Sequence, residues 1–152
     1  MSEKIVLSLG SNVGNRSENL KHALESLARD GFEIEKASSV YETEPVGYKE
    51  QSSFYNMAVS GTIGREPEEL LAIIHRIEKE LGRERVLKYG PRTIDIDIII
   101  FGDRSLRTSD LIIPHPEYKN RKFVLVPAAE IEPVIFADVL KKCSDSSEVK
   151  KV

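Results

Sequence analysis

The clearest chemical signal in this chain is a pair of acids two residues apart, Asp95 and Asp97, in the stretch YGPRTIDIDIIIFGD at residues 89–103. Ile94, Ile96, Ile98 and Ile100 fill the alternate positions, the period of a β-strand with one buried face. Successive strand side chains point to opposite faces, so Asp95 and Asp97 project together, followed on that face by Ile99 and Phe101. Neighbouring carboxylates repel each other, and a divalent cation bound between them relieves that cost. A lone acid pair of this spacing also fits a solvent-facing strand edge. Here the same face turns apolar beyond the acids, which describes the floor of a pocket better than an open surface. Just before the strand, residues 82–93 hold Arg83, Arg85, Lys88 and Arg92 against one acid, Glu84. Alone, that stretch reads equally well as a solvated loop. Delivered onto an acid-bearing strand, it reads as a clamp for polyanions. Acids and arginines together point to metal-assisted phosphoryl transfer. Magnesium takes few oxygens from protein and the rest from phosphates and water, while arginines neutralise charge on the migrating group. No GxxxxGK[ST] occurs, so a P-loop is excluded.

The elements that must carry these residues follow from periodicity and turn signals. Residues 4–9 read as a strand ended by Gly10-Ser11-Asn12. Asn15 or Ser17 caps a helix whose buried stripe is Leu20, Ala23, Leu24 and Leu27, and Gly31 stops it. A second strand covers 32–41. The loop over 42–53 contains Pro45 and Gly47, and loops of that length inside compact domains are more often functional than idle. Residues 54–63 form a third strand, paired with the second. Pro67 opens a second helix with Glu68 and Glu69 in its first turn. Its core face is Leu70, Ile73, Ile74, Ile77 and Leu81, and Gly82 ends it. Beyond the acid-bearing strand come a short apolar piece at 111–113, Pro114-His115-Pro116, a basic segment at 119–122, an apolar run at 123–126 and a last short helix at 138–143. Strand, helix, strand, strand, helix, strand predicts an α+β fold of the ferredoxin-like βαββαβ type, an antiparallel sheet with both helices on one face. The other face, or the sheet edge, is left for a site and for the C-terminal additions.

A chain of 152 residues is expected to form one domain, here over 1–143, with a polar, frayed tail over 144–152. The hydrophobic fraction of 40% and charged fraction of 31% are ordinary for a soluble protein. A net charge of -3 argues against bulk nucleic-acid binding. Cys143 is the single cysteine, which excludes a disulfide framework and a cysteine-based zinc site. The first apolar run is too short for a signal peptide, and no segment approaches a membrane span, so a cytoplasmic protein is expected. GSNVGN, after the first strand, is weak as a phosphate loop and reads better as a tight turn lining a pocket wall. Thr43, Pro45, Val46 and Gly47, with Phe54 and Asn56, suit a flat polar heterocycle, rings stacking on its faces and amides reading its edge. Taken singly, Phe54 also reads as plain core and His115 as a structural histidine.

YGPRTIDIDIIIFGD strongly resembles the signature of the 6-hydroxymethyl-7,8-dihydropterin pyrophosphokinase family of folate biosynthesis. The pattern G-P-R-x-x-D-[apolar]-D-[apolar]-[apolar] is met at every position. The resemblance runs from LGSN at Leu9 through YETEPVGYKEQSSFYN to PHPEYKNRKFVLVPAAEIEP, all but the tail. It implies that ATP, as co-substrate, donates its β,γ-pyrophosphoryl group to the hydroxymethyl oxygen of the dihydropterin, releasing AMP. By the same resemblance Asp95 and Asp97 would hold two magnesium ions. Thr43, Val46, Phe54, Asn56 and Phe123 would frame the pterin, and His75, Glu78, Arg85, Ile98, His115 and Arg121 would line the nucleotide site. Arg83 and Arg92 would steady the migrating charge, with residues 82–88 closing as a lid. No strong general base is evident, and loose phosphoryl transfer does not demand one. The implied partners are two small-molecule substrates, with neither nucleic acid nor membrane, acting on a monomer. Three positions depart from the family's usual residues. Tyr89 stands where tryptophan is frequent, and Asp110 and Ile112 stand where a basic and a small hydroxyl residue often contact nucleotide, so both are left out of the expected site. Two alternatives stay open. Another two-metal phosphotransferase on a similar sheet leaves residues 43–56 without a task, and a non-catalytic nucleotide- or metal-binding module needs no arginine loop.

Overall fold

The seven residues of β1, Ile5–Ser11, are buried along their whole length. In the computed structural model, which describes residues 3–43, 53–82 and 93–152, the sheet is built outward from them. β1 pairs antiparallel with β4 (Phe54–Thr62) on one side and with β5 (Asp95–Phe101) on the other. β4 in turn pairs with β2 (Glu33–Ala37) and β3 (Tyr41–Thr43). The order β5-β1-β4-β2, with helices α1 (Arg16–Arg29) and α2 (Pro67–Glu80) between strands, is the expected ferredoxin-like arrangement.

Local chemistry sets the helix ends. The Asn15 side chain caps α1 by accepting from the Glu18 N–H at 3.1 Å. At α2, Glu66 and Glu69 form a reciprocal capping box ahead of Pro67, which satisfies donors that the first turn leaves open. Gly31 and Gly82 follow the two helices at φ of 105° and 80°, a region that glycine enters without steric penalty. Leu20, Ala23 and Leu27 of α1 and Leu70, Ile74 and Ile77 of α2 then pack on Ile5, Leu7 and Leu9.

A second core lies on the opposite face. There α3 (Lys122–Ile131) and α4 (Pro133–Lys142) press Val124, Leu125, Ala128 and Phe136 against Val6, Ala58 and Ile99. Both helices are longer than the apolar run at 123–126 and the helix at 138–143 that periodicity indicates. Pro127 lies inside α3, where a proline ordinarily signals a stop, and burial against the sheet outweighs that preference.

Three further differences bear on the geometry of the sheet and its edges. The strand expected over 32–41 is split into β2 and β3. Between them the Ser38 hydroxyl accepts from the Ala58 N–H at 2.9 Å, standing in for a ladder bond. The second is a β-bulge: Val6 pairs with Ile100 and Leu7 with Ile98, which leaves Ile99 the extra residue. One extra residue reverses the faces of all those beyond it, so Phe101 joins the α1/α2 core and Ile100 packs toward α3/α4, the reverse of strict alternation. Finally, within the tail expected to fray, β8 (Val149–Lys151) pairs antiparallel with β3. Asp145 ties the approach to it, accepting from the Lys122 and Ser147 N–H groups. An open edge on β3 is a row of unsatisfied backbone groups, and even a polar segment that answers them is held.

The second core is predicted to be essential to stability. Phe136 is fully buried and meets Tyr118 edge to face with ring centres 6.0 Å apart. Phe136→Ala is expected to lower the unfolding free energy by about 3–5 kcal/mol in urea titration. A loss under about 1 kcal/mol would mean that α4 is peripheral.

Candidate active site

The strand register brings the candidate site residues into rows. Directly opposed residues on antiparallel neighbours share a face. Asn56 opposes Gly10, and Gly10 opposes Asp95. One pair along, Ala58 opposes Ser8, and Ser8 opposes Asp97. Asp95 and Asp97 therefore lie on the α3/α4 side of the sheet, at the end that those helices leave open, with Ile99 continuing beneath the helices. This is the polar-then-apolar face anticipated from the sequence, as far as the bulge.

The acids open onto a cleft of about 440 Å³ that follows the outer edge of β5 in the described sheet. α2 contributes Leu71, His75 and Glu78, spaced four and three apart so that they form one helical stripe. β5 contributes Asp95, Ile96, Asp97 and Ile98. The turn between the short strands β6 (Leu106–Arg107) and β7 (Ile112–Ile113) contributes Ser109, Asp110 and Leu111, and Ile112 adds to it. His115, Pro116 and Arg121 close the far side. The bulge has a use here, since the Ile99 carbonyl accepts from the His115 N–H at 2.9 Å and so docks the Pro-His-Pro segment over the strand edge.

Two carboxylates from one strand face offer hard oxygen donors suited to magnesium or a similar cation, which keeps most of its shell from elsewhere. Among the described residues no group of three or more metal-ligating side chains gathers, so protein ligands from these elements would number few. The imidazole of His115 accepts from the Glu117 N–H through Nδ1 at 3.1 Å, which leaves its other nitrogen to carry the proton when the ring is neutral. Burial first, and then the Arg121 guanidinium, hold this histidine below its ordinary pKa, against the opposite pull of Glu117 and Asp95.

Thr43, Phe54 and Asn56 form a second group on the other side of Gly10. The Asn56 amide donates to the Thr43 hydroxyl at 2.6 Å, and both residues are buried. A Cβ at position 10 would lie 2.7 Å from Asn56 Oδ1 and 3.4 Å from the Phe54 ring, so the bare backbone of Gly10 forms a wall of this group. Phe123, on α3, is partly buried against the second core, with the Arg121 guanidinium 5.8 Å from its ring centre. None of these four lines the cleft itself.

The structure thus gathers His75, Glu78, Asp95, Asp97, Ile98, His115 and Arg121 in one cleft, and Thr43, Phe54 and Asn56 across β1 from it. Val46, Arg83, Arg85 and Arg92 lie outside the described residues. Asp110 and Ile112, omitted from the expected site because they depart from the family pattern, line the cleft. Leu71 lines it too and is absent from the expected set, although the Leu71-His75-Glu78 spacing is a signal that could have found it. Arg16 is a further omission. It donates to the Ser53 carbonyl at 2.9 Å, pairs with Glu42 at 3.4 Å and covers the Tyr55 ring at 3.8 Å. It thereby joins residues that flank the stretch 44–52.

Fold and cleft together define an α+β protein with an acid-bearing sheet edge that opens onto a cleft, beside a buried amide-and-hydroxyl pair. Residues 6–133 match the family model of the 7,8-dihydro-6-hydroxymethylpterin-pyrophosphokinases, and the chain belongs to that family. It is 45% identical over 132 residues to the 2-amino-4-hydroxy-6-hydroxymethyldihydropteridine pyrophosphokinase of Bacillus subtilis, a match covering 86% of this chain and 79% of that one. With the enzyme of the same description from Aquifex aeolicus it shares 41% identity over 138 residues, covering 91% and 86%. A folate synthesis bifunctional protein of Arabidopsis thaliana is 44% identical over 130 residues, and there the match covers 27% of the longer chain. Among solved structures, wild-type Plasmodium falciparum HPPK-DHPS with pteroate superposes with a TM-score of 0.72 at 16% identity, over 93% of this chain and 44% of that one. That last likeness is one of fold.

The depressed His115 pKa makes a prediction. The folded chain binds fewer protons at this site than the unfolded chain does. Its contribution to stability is therefore complete above the ordinary histidine value of about 6.5 and is lost as pH falls from there through the folded pKa. An NMR titration of the His115 ring should give a midpoint below about 6.5, and one at or above it would contradict the burial argument.

Proposed function

We infer that this chain carries out the reaction of its family. The β,γ-pyrophosphoryl group of ATP passes to the hydroxymethyl oxygen of 6-hydroxymethyl-7,8-dihydropterin, giving the pterin diphosphate and AMP as a step of folate biosynthesis. The observation that carries this reading is the row Asn56–Gly10–Asp95. It sets a buried amide-and-hydroxyl pair beside an acid-lined cleft with only a glycine between them. Two substrates that must meet for one transfer need adjoining sites, and positioning is, with electrostatic stabilisation, a large part of what such an enzyme supplies.

In this reading Thr43 and Asn56 meet the polar edge of the pterin while Phe54, Phe123 and Val46 bound its faces. His75, Ile98, His115, Arg121 and Arg85 line the nucleotide half, and Glu78 stands in the cleft wall behind Ile96. Asp95 and Asp97 hold two magnesium ions, which when bound neutralise charge on the phosphates. The neutral His115 ring, its Nδ1 already occupied by Glu117, turns a donor rather than a base toward the cleft. Arg83 and Arg92, both outside the described residues, compensate charge on the migrating group. No side chain is required to take a proton in the transfer step, since bond breaking leads in a loose transfer. We take the catalytic unit to be residues 1–143 acting as a monomer in the cytoplasm. No described helix is long and apolar enough to cross a membrane.

The test is a product assay with ATP, magnesium and the hydroxymethyl-dihydropterin. AMP should form one for one with pterin diphosphate, and ADP as the nucleotide product would overturn the reading. In the same assay Asp95→Asn and Asp97→Asn should each lower turnover by at least about a hundredfold. That factor corresponds to a few kcal/mol of transition-state stabilisation, with circular dichroism unchanged. A variant of either kind that kept near-normal magnesium-dependent turnover would remove the acids from the metal site.

A further inference from the structure

Glu78 sits in the last turn of α2, where its neighbours Lys79 and Glu80 are exposed, yet it is itself only 4% exposed. Burying a carboxylate is costly unless strong hydrogen bonds replace its water. One such bond is plain: Glu78 Oε2 accepts from the backbone N–H of Ile96 at 2.9 Å. That N–H belongs to the peptide joining Asp95 to Ile96. Among the described residues β5 is an edge strand, with β1 its only neighbour in the strand order. On such an edge every second residue directs its backbone groups away from the sheet. Glu78 thus does from a helix what one further strand would do, and it does so at the residue between the two acids. A charged acceptor makes this a stronger bond than an ordinary ladder bond. Because Asp95 and Asp97 flank Ile96, the tilt of that peptide governs where both carboxylates point.

We propose that Glu78 is a positioning residue. It holds the Asp95–Ile96 peptide so that Asp95 and Asp97 converge in the cleft, and it does not itself bind nucleotide. The proposal rests on reading those two acids as the cation-holding pair. It gives Glu78 a different task from the nucleotide contact that family resemblance implies, while accounting for its place in the cleft wall.

The test compares Glu78→Ala, which deletes the acceptor, with Glu78→Gln, which keeps an oxygen at the same reach without the charge. Three quantities are measured on the full chain: hydrogen exchange of the Ile96 amide, affinity for Mn2+, and single-turnover rate set against the ATP dissociation constant. In Glu78→Ala the Ile96 amide should exchange at least about tenfold faster, the equivalent of one lost bond to a charged group. Mn2+ affinity and turnover should each fall about 10–100-fold, as for other residues that orient metal ligands. ATP binding measured without metal should change less than about threefold, since no nucleotide contact is lost. Glu78→Gln should recover most of each loss. If Glu78→Ala does not fold, Glu78→Asp, one methylene too short to reach Ile96, takes its place. The proposal is overturned if Gln is as impaired as the deletion, or if ATP affinity falls in step with turnover. Should the wild-type chain form no AMP, the functional reading fails. The exchange and Mn2+ measurements then still decide the role of Glu78.

Discussion

In the proposed reading two half-sites share one sheet, and the strand between them carries no side chain at the row that joins them. β1 lies between β4 and β5, and at the row that joins Asn56 to Asp95 its residue is Gly10. A methyl group there would meet Asn56 Oδ1 at 2.7 Å, closer than side-chain carbons come to oxygen without displacement. Much else in the molecule holds that row. The α1/α2 core packs beneath β1 through Leu7 and Leu9. The second core grips the opposite face through Val6. Within the row Gly10 and Asn56 are buried, and Asp95 is half-buried where it meets the cleft.

The edge position of β5 is the other side of the same economy. An unpaired edge is ordinarily a liability, an invitation to further strand pairing. Here the edge is occupied from three directions: by Glu78 at Ile96, by His115 at the Ile99 carbonyl, and by the β6–β7 hairpin, which lines the cleft beside it. The bulge at Ile99 is what makes the second of these available. The same hydrogen bonds therefore cover the edge and fix the backbone beside the two acids.

Much of this was legible in the sequence. The order of strands and helices, the α1 cap as one of two candidates, the two glycine stops and the acids of β5 follow from period, turn chemistry and a specific motif, and His75 and Glu78 follow from the family resemblance. What escaped has identifiable physical causes. Strict alternation cannot anticipate a bulge, so Ile100 and Phe101 exchanged faces. A hydroxyl that substitutes for a ladder bond, as Ser38 does, breaks a strand without any apolar signal. The polar tail looked frayed because its pairing with β3 depends on an edge that only the folded sheet creates. Asp110 and Ile112 depart from the family pattern, yet a cleft wall needs occupants of some kind whether or not they match it. Gly10 reads as a turn residue in the sequence, and its spatial role emerges only with the register known. The arginines at 83, 85 and 92 and Val46 are legible in the sequence and fall outside the described structure.

On this account Gly10 is the shared wall between a pterin pocket and a nucleotide cleft. Calorimetric titration of Gly10→Ala with each substrate tests that claim most directly. Displacing Asn56 from its place beside Thr43 should weaken binding of 6-hydroxymethyl-7,8-dihydropterin by about tenfold or more, the equivalent of one buried hydrogen-bond partner lost. Affinity for ATP with magnesium should stay within about threefold of wild type, because Asp95 and Asp97 hang from β5 and not from β1. Unchanged pterin affinity in a folded Gly10→Ala protein, or equal losses for both ligands, would contradict the account.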